Sequence, residues 1–279
     1  MIIWIASYPK SGNTYLRSFL ASYYFSKDGK FDFNLLNNIK QFPGIQYTEK
    51  KTKSREEASK NWIPLQEKCF DKNKLQILKT HNCLIPYNGN NFTNKNYSLG
   101  AIYIVRDPRN VIISSANHYS LDYETALKYM LDNKKSLLQK SVDDDFGNFA
   151  FLSSWSNHYK SWIKNSDFKI LLIKYEDLEE NKYEIFRDVI VFIETLTKKH
   201  VNIDKERIIE SIKTTNFSVL KNKEKNEGFQ ESVYSKKGKK IDFFNMGFNN
   251  RWQKILPNEF QVKVREVFNN DLLYFKYKI

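Results

Sequence analysis

Ile2-Ile3-Trp4-Ile5-Ala6-Ser7-Tyr8-Pro9-Lys10-Ser11-Gly12-Asn13-Thr14 opens the chain with an apolar run, a turn and the start of a helix. Ile2 to Ala6 reads as a buried strand of the kind found at the centre of a parallel sheet. From Asn13 onward, apolar residues fall at Leu16, Phe19, Leu20, Tyr23 and Tyr24, the spacing of an amphipathic helix. Between the two, Ser7 to Gly12 forms a tight turn. A strand that feeds a helix through Lys-Ser-Gly points backbone N–H groups at one spot, and the helix N-terminus adds partial positive charge there. The turn therefore reads as a phosphate cradle.

Its spacing departs from the nucleoside-triphosphate loop G-x-x-x-x-G-K-[ST]. With Gly12 as the second glycine, Ser7 stands at the first and Asn13 at the lysine, and only Thr14 keeps the hydroxyl. The lysine has moved upstream to Lys10. That position suits a single phosphate next to a ribose better than the β- and γ-phosphates of ATP.

Further short apolar runs lie at 75–78, 101–105 and 169–173, each bounded by polar residues. Helical patterns are expected over 111–119, 149–163, 176–196, 205–215 and 258–268. Strands alternating with helices predict an α/β fold: three layers, a mostly parallel central sheet, and a P-loop-like phosphate-binding turn after the first strand. Ligands of such sheets bind at the carboxyl ends of the strands. Residues 26–74 and 119–148 are expected to run over that edge as helical excursions or loops. Residues 221–250, rich in Lys, Gly and Asn, read as a mobile loop. No repeat or linker divides the chain, so residues 1–279 read as one domain.

The 279 residues are 41% hydrophobic and 28% charged, enough for a packed core and against disorder as the main state. No run of 18 apolar residues is present to cross a membrane. The opening residues lack the basic region and cleavage site of a signal peptide, so a cytoplasmic location is expected. Cys69 and Cys83 make neither a disulfide framework nor a metal site. Lys and Arg number 45 against 32 Asp and Glu, a net charge of +13. Such an excess attracts nucleic acid, anionic lipid or a phosphate-rich small molecule, and does not choose among them.

Two other segments carry chemistry. Leu78-Lys79-Thr80-His81 ends a strand and brings an imidazole to the phosphate loop, where a histidine can take a proton near neutrality. His118, His158 and His200 read instead as structural hydrogen-bonding residues. In Ala101 to Val111, Asp107 caps a helix and Pro108 opens it. Ser114 lies two turns on, so that Arg106 and a hydroxyl converge on one anion.

The segment Tyr8 to Arg17 resembles the 5′-phosphosulfate-binding loop of cytosolic-type sulfotransferases. That family takes its sulfuryl group from 3′-phosphoadenosine 5′-phosphosulfate and releases adenosine 3′,5′-bisphosphate. Lys79-Thr80-His81 is similar to the family's Lys-Thr-His, whose histidine is the general base. The stretch from Ala101 through Ser114 resembles its 3′-phosphate-binding strand and helix. Tyr175-Glu176-Asp177 and Thr215-Asn216-Phe217 look like two segments that line the adenosine pocket, and Tyr15 stands where a base-stacking Trp is usual. The resemblance runs from residue 2 to about 252.

By this resemblance, His81 is the base, Lys10 and Lys79 stabilise charge on the transferred and leaving groups, and Ser114 holds the 3′-phosphate near Lys10. The donor would be held by Lys10, Ser11, Gly12, Asn13, Thr14, Tyr15, Arg106, Ser114, Tyr175, Thr215, Phe217, Gly247 and Arg251. No metal is implied. One departure stands out: the basic pair that usually precedes the glycine corresponding to Gly247 is replaced by Asn245-Met246. Either Arg251 or the run Lys236-Lys237-Gly238-Lys239-Lys240 substitutes, or the 3′-phosphate is held more loosely.

A kinase or NTPase is the competing enzyme reading, and it lacks its lysine at Asn13. A basic nucleic-acid-binding protein is the competing reading outside enzymes, but the lysines are spread along the chain without a binding module. The acceptor is expected over the sheet edge as a small molecule, lipid or carbohydrate. Aromatics there include Phe42, Tyr47, Trp62, Tyr87, Tyr119 and Tyr123.

Overall fold

The computed structural model describes residues 1–138, 144–198, 201–234, 238 and 240–279. Each of the four apolar runs expected to be a strand is one. β1 (Ile2–Ser7), β2 (Gln76–Thr80) and β3 (Ser98–Val105) come first, then the two-residue strands β4 (Ser136–Leu137) and β5 (Ala150–Phe151), then β6 (Lys169–Lys174). The four long strands pair in the order β2-β1-β3-β6, all parallel. Trp4 lies opposite Leu78 on one side and Ala101 on the other.

Parallel neighbours need crossover connections; helices between β1 and β6 supply them, and further helices follow β6. In chain order they are α1 (Asn13–Phe25), α2 (Arg55–Cys69), α3 (Pro108–Tyr119), α4 (Tyr123–Leu131), α5 (Trp155–Ile163), α6 (Asp177–Glu180), α7 (Lys182–Leu196), α8 (Lys205–Thr214), α9 (Phe217–Glu227), α10 (Trp252–Ile255) and α11 (Asn258–Tyr274). The hairpin strands β7 (Val233–Tyr234) and β8 (Lys240–Ile241) pair antiparallel.

The period of two along a strand sorts β1 between two cores. Ile2, Trp4 and Ala6 pack on one face with Trp62 of α2, Val111 of α3, Trp155 of α5 and Phe268 of α11. Ile3 and Ile5 pack on the other with Phe19 of α1, Phe186 of α7 and Ile208 of α8. A strand covered on both faces has no polar side to show, which is why Ile2 to Ala6 is continuously apolar. Each fully buried Ile or Phe contributes about 1.5–3 kcal/mol. The result is the expected three-layer arrangement, and the strands end together at Ser7, Thr80, Val105 and Lys174.

Several expected boundaries move. The helix expected from Phe149 starts at Trp155, because Ala150 and Phe151 pair with Leu137 and Ser136, and Ser154 caps α5 by accepting from the Asn157 N–H. The helix expected over 176–196 breaks at Asn181, whose ψ of 36° leaves the helical region. Residues 221–250 are not simply a loop. Their first part continues α9, and the Glu224 carboxylate, 1% exposed, accepts from the N–H groups of Phe243 and Phe244 and from Ser232 Oγ. Of the basic run in that stretch, Lys236, Lys237 and Lys239 lie outside the described residues, as does His200.

Candidate active site

The phosphate loop follows from the end of β1. Lys10 adopts φ 67° and Gly12 φ 102°, both left-handed, so the chain reverses within the turn and α1 begins at Asn13. A Cβ on Gly12 would sit 2.3 Å from a ring carbon of Tyr175, so the position excludes a side chain on space as well as on φ. No side chain caps α1 and its first turn holds no acid; the N–H groups of Tyr15 and Leu16 turn back to Gly12 O, which leaves those of Asn13 and Thr14 to meet an anion. Asn13, at the place of the NTPase lysine, turns back instead: its amide donates to Ile5 O at 3.0 Å and Ser7 Oγ at 3.2 Å. That geometry removes the residue on which the kinase reading depends.

Beside the loop, β2 carries Lys79, ends at Thr80, and is followed by His81. The Nδ1 of His81 stands 2.8 Å from Ser7 O, and a carbonyl only accepts, so Nδ1 carries the proton and Nε2 keeps its lone pair. His158, wholly buried, lies with Nε2 3.0 Å from His81 O and Nδ1 2.7 Å from Tyr103 OH, which is the structural role expected of it. Burial, reinforced by the Lys79 ammonium, pushes His81 down to about 3. In the free protein it is therefore a neutral imidazole near pH 7 with its Nε2 lone pair open, and a weaker base than the near-neutral one expected from the sequence, because burial and the Lys79 charge oppose its protonation.

The end of β3 places Arg106. Its guanidinium donates to Lys10 O at 3.2 Å and Gly247 O at 3.0 Å and lies 4.3 Å from the Tyr175 ring, while its buried Nε has no partner. Asp107 caps α3 as expected, accepting from the Arg109 N–H at 2.9 Å. Glu176, after β6, accepts from the Asp107 N–H at 3.0 Å and so ties the ends of β3 and β6 together.

These elements enclose one cavity of about 580 Å³. Lys10, Gly12, Asn13, Thr14, Tyr15, Lys79, His81, Arg106, Ser114, Tyr175, Phe217 and Gly247 line it. Burial pushes the Lys10 ammonium down to about 7; Glu231 opposes the shift, and Arg106 and Lys79 reinforce it. The Lys10 Nζ rests 4.1 Å from the centre of the Phe243 ring.

Three of the expected donor residues are placed differently. Ser11 is 1% exposed with its hydroxyl unpartnered and does not reach the lining. Thr215 is wholly buried and its hydroxyl bonds back to Ser211 O at 2.6 Å, the usual fate of Thr at a helix end. Arg251 pairs with Glu179 at 2.8 Å and lines a neighbouring cavity of about 290 Å³ that shares Arg106, Tyr175 and Asn250 with the first. Tyr15 packs against Phe186 and edge-on to Phe248, and Phe248 stacks on Tyr175 at 4.9 Å.

His118 departs from the structural hydrogen-bonding role expected of it: it lines the cavity with Nδ1 unpartnered, and burial pushes it down to about 3. The site also contains residues that the sequence did not single out. Arg17 and Glu231 meet at 2.6 Å beside Lys79. Arg17 ends the segment that resembles the phosphosulfate loop and stands one turn past Asn13, but nothing in the local pattern gives it a role. Of the aromatics expected at the acceptor end, Tyr119 alone lines the cavity, whereas Phe42 and Trp62 are buried in the core and Tyr47, Tyr87 and Tyr123 pack half-buried against it. Gln41, Gln46, Asn148, Leu137 and Leu138 also line the cavity.

The family model of the sulfotransferase domain matches residues 2–275. Mouse sulfotransferase 1E1 is 28% identical over 271 residues, covering 96% of this chain and 82% of its own length. Rabbit amine sulfotransferase is 22% identical over 246 residues, covering 85% and 72% respectively. Among solved structures, retinol dehydratase with androsterone and the inactive cofactor PAP superposes with a TM-score of 0.58 at 19% identity, over 97% of this chain and 80% of that one. Mouse sulfotransferase SULT7A1 with PAP gives a TM-score of 0.52 at 15% identity, over 97% and 84%.

Proposed function

The chain belongs to the sulfotransferase family and is a sulfotransferase dependent on 3′-phosphoadenosine 5′-phosphosulfate; on that premise we propose that it moves the sulfuryl group in line to a hydroxyl or amine of an acceptor, with His81 as general base. The observation that carries the reading is one cavity lined by Lys10, Lys79, His81, Arg106 and Ser114, residues contributed by three strand ends and a helix. The residues fit an anionic nucleotide. Two unpartnered donors, Arg106 Nε and Ser11 Oγ, lie at or just beneath the loop, and the free helix terminus adds N–H groups.

In this reading the N–H groups of the loop and Thr14 hold the 5′-phosphate, and Arg106 and Ser114 take the 3′-phosphate. Tyr15, Tyr175, Phe217 and Gly247 border the adenosine; Thr215 supports that wall from behind through Ser211. Arg251 borders the adjoining cavity and is held by Glu179. The donor supplies the activated sulfur–oxygen bond. Lys10 and Lys79 meet the charge that develops on the bridging and sulfuryl oxygens, and His81 Nε2 accepts the acceptor's proton. Fixed charges aimed at developing charge contribute about 2.7–4 kcal/mol each, by analogy with oxyanion-hole donors. The acceptor enters between Tyr119, Leu137 and the amides Gln41, Gln46 and Asn148. Free thiols at Cys69 and Cys83 suit a reducing compartment, and the proposal places the enzyme in the cytoplasm. Among the described residues no helix is long and apolar enough to cross a membrane.

The test is thermal stabilisation by adenosine 3′,5′-bisphosphate against ATP with magnesium. A specific ligand at 100 times its dissociation constant adds about 2.7 kcal/mol, a shift of several degrees. Stabilisation by the bisphosphate alone supports the proposal. Stabilisation by ATP alone overturns it.

A further inference from the structure

The cationic end of the cavity already holds an anion, and the chain itself provides it. The Glu231 carboxylate accepts from Lys79 Nζ at 3.1 Å to each oxygen, from Arg17 Nη1 at 2.6 Å and from Thr14 Oγ1 at 3.1 Å. Lys79 and Arg17 are 5% and 8% exposed, so neither charge is solvated. Arg17 is aimed by its other end: Nη2 donates to Leu36 O at 2.9 Å, and the buried Nε has no partner at all.

Four hydrogen bonds from three residues on two elements, α1 and β2, fill the capacity of the two carboxylate oxygens, and three of the four are donated by cations. Phosphate and sulfate groups make the same demand. Thr14, in the first turn of α1, spends its hydroxyl on this carboxylate rather than on the loop. The site is thus an anion site in chemistry and in use.

We infer that Glu231 is a resident stand-in for an anionic group of the donor, and that Arg17 is a further donor-binding residue beside Lys79. The inference rests on the donor reading given above. Glu231 and the donor need the same three partners, and two anions do not share one buried cluster whose donors are already spent. Donor binding therefore displaces Glu231, and the free enzyme's affinity is lowered by the fraction of molecules in which Glu231 occupies the site. A competitor holding the site in about nine molecules of ten weakens apparent affinity about tenfold.

The experiment is calorimetric titration of adenosine 3′,5′-bisphosphate into wild type, Glu231→Gln, and Glu231→Gln combined with Arg17→Met. Glu231→Gln is expected to bind about tenfold more tightly than wild type, and the double variant to lose that gain. Equal or weaker binding by Glu231→Gln overturns the inference while leaving the donor reading intact. Binding by none of the three proteins overturns both. Should the variants fail to fold, hydrogen exchange on the wild type decides: residues 229–234 must exchange faster with saturating bisphosphate, and unchanged protection overturns the inference.

Discussion

The Nδ1 of His81 lies 2.8 Å from the carbonyl oxygen of Ser7, so the last residue of β1 sets the tautomer of the residue that follows β2. The two strands are parallel neighbours paired through Ala6 and Thr80. The bond follows from that register, and it leaves Nε2 as the nitrogen able to take a proton. His81→Ala is expected to lower turnover by about 10²–10⁴-fold, the ordinary contribution of a positioned base. Affinity for adenosine 3′,5′-bisphosphate should stay within a few-fold. Steady-state kinetics beside calorimetry checks this, and a variant keeping more than a tenth of wild-type turnover removes His81 from the mechanism.

Three histidines buried as neutral rings make stability depend on pH with a definite sign. Burial pushes His81 and His118 down to about 3 and His158 to about 4, against about 6.5 for an unfolded chain. Below pH 6.5 the unfolded chain binds protons that the folded one refuses. Their stabilisation is therefore present above pH 6.5 and lost as pH falls from there toward the folded values. For the wholly buried His158 the slope is about 1.4 kcal/mol per pH unit. Urea unfolding at pH 7, 6 and 5 should show a steep decline that is shallower in His158→Gln.

Lys10 carries a pH signature of its own. With its ammonium pushed down to about 7, it is partly neutral in the free enzyme just above neutrality. A bound anion raises that value, so binding takes up a proton. Affinity for adenosine 3′,5′-bisphosphate should fall as pH rises from 7 to 9, with a slope approaching about tenfold per unit. Lys10→Met should bind more weakly at pH 7 and lose the dependence. Calorimetry in buffers of different ionisation enthalpy measures the proton directly.

Gly12→Ala tests the turn. The backbone stands at φ 102°, and the methyl of an alanine there would meet the Tyr175 ring at 2.3 Å, so only a shift of the ring accommodates it. A backbone forced into a sparsely populated region costs about 1–3 kcal/mol, with the displaced ring adding to it. Chemical denaturation should show at least that loss, and bisphosphate affinity should fall by more than tenfold.

Arg106 and Arg251 separate the two ways of holding a 3′-phosphate. Hydrogen bonds to a charged group contribute about 1.5–3 kcal/mol each. Arg106→Met should therefore weaken adenosine 3′,5′-bisphosphate by tenfold or more while changing adenosine 5′-phosphate little. Arg251 is half exposed and paired with Glu179, a surface pair contributing about 0–1 kcal/mol. Arg251→Ala should change affinity by less than threefold. A larger loss would return Arg251 to the role that the missing basic pair before Gly247 leaves open.

The layers and the position of the site are legible in the order of residues along the chain. Ile2 to Ala6 is apolar at every position because both faces of β1 are covered, and that pattern needs no partner to be visible. Lys10, Gly12, Lys79, His81 and Arg106 were legible because each stands at a strand end, where spacing along the chain is also spacing in the fold. The tertiary structure alone decided what depends on long-range packing. Thr215 and Phe217 are two residues apart, yet a back-bond to Ser211 turns the first inward while the second lines the cavity. Glu224 and Glu231 sit in a lysine-rich stretch that reads as a mobile loop, yet Glu224 is buried and Glu231 mostly so, each held by groups distant in sequence. Charge pairing of that kind has no period and no local motif. It is set by where the strand ends bring their cations together, which the chain settles only once it has folded.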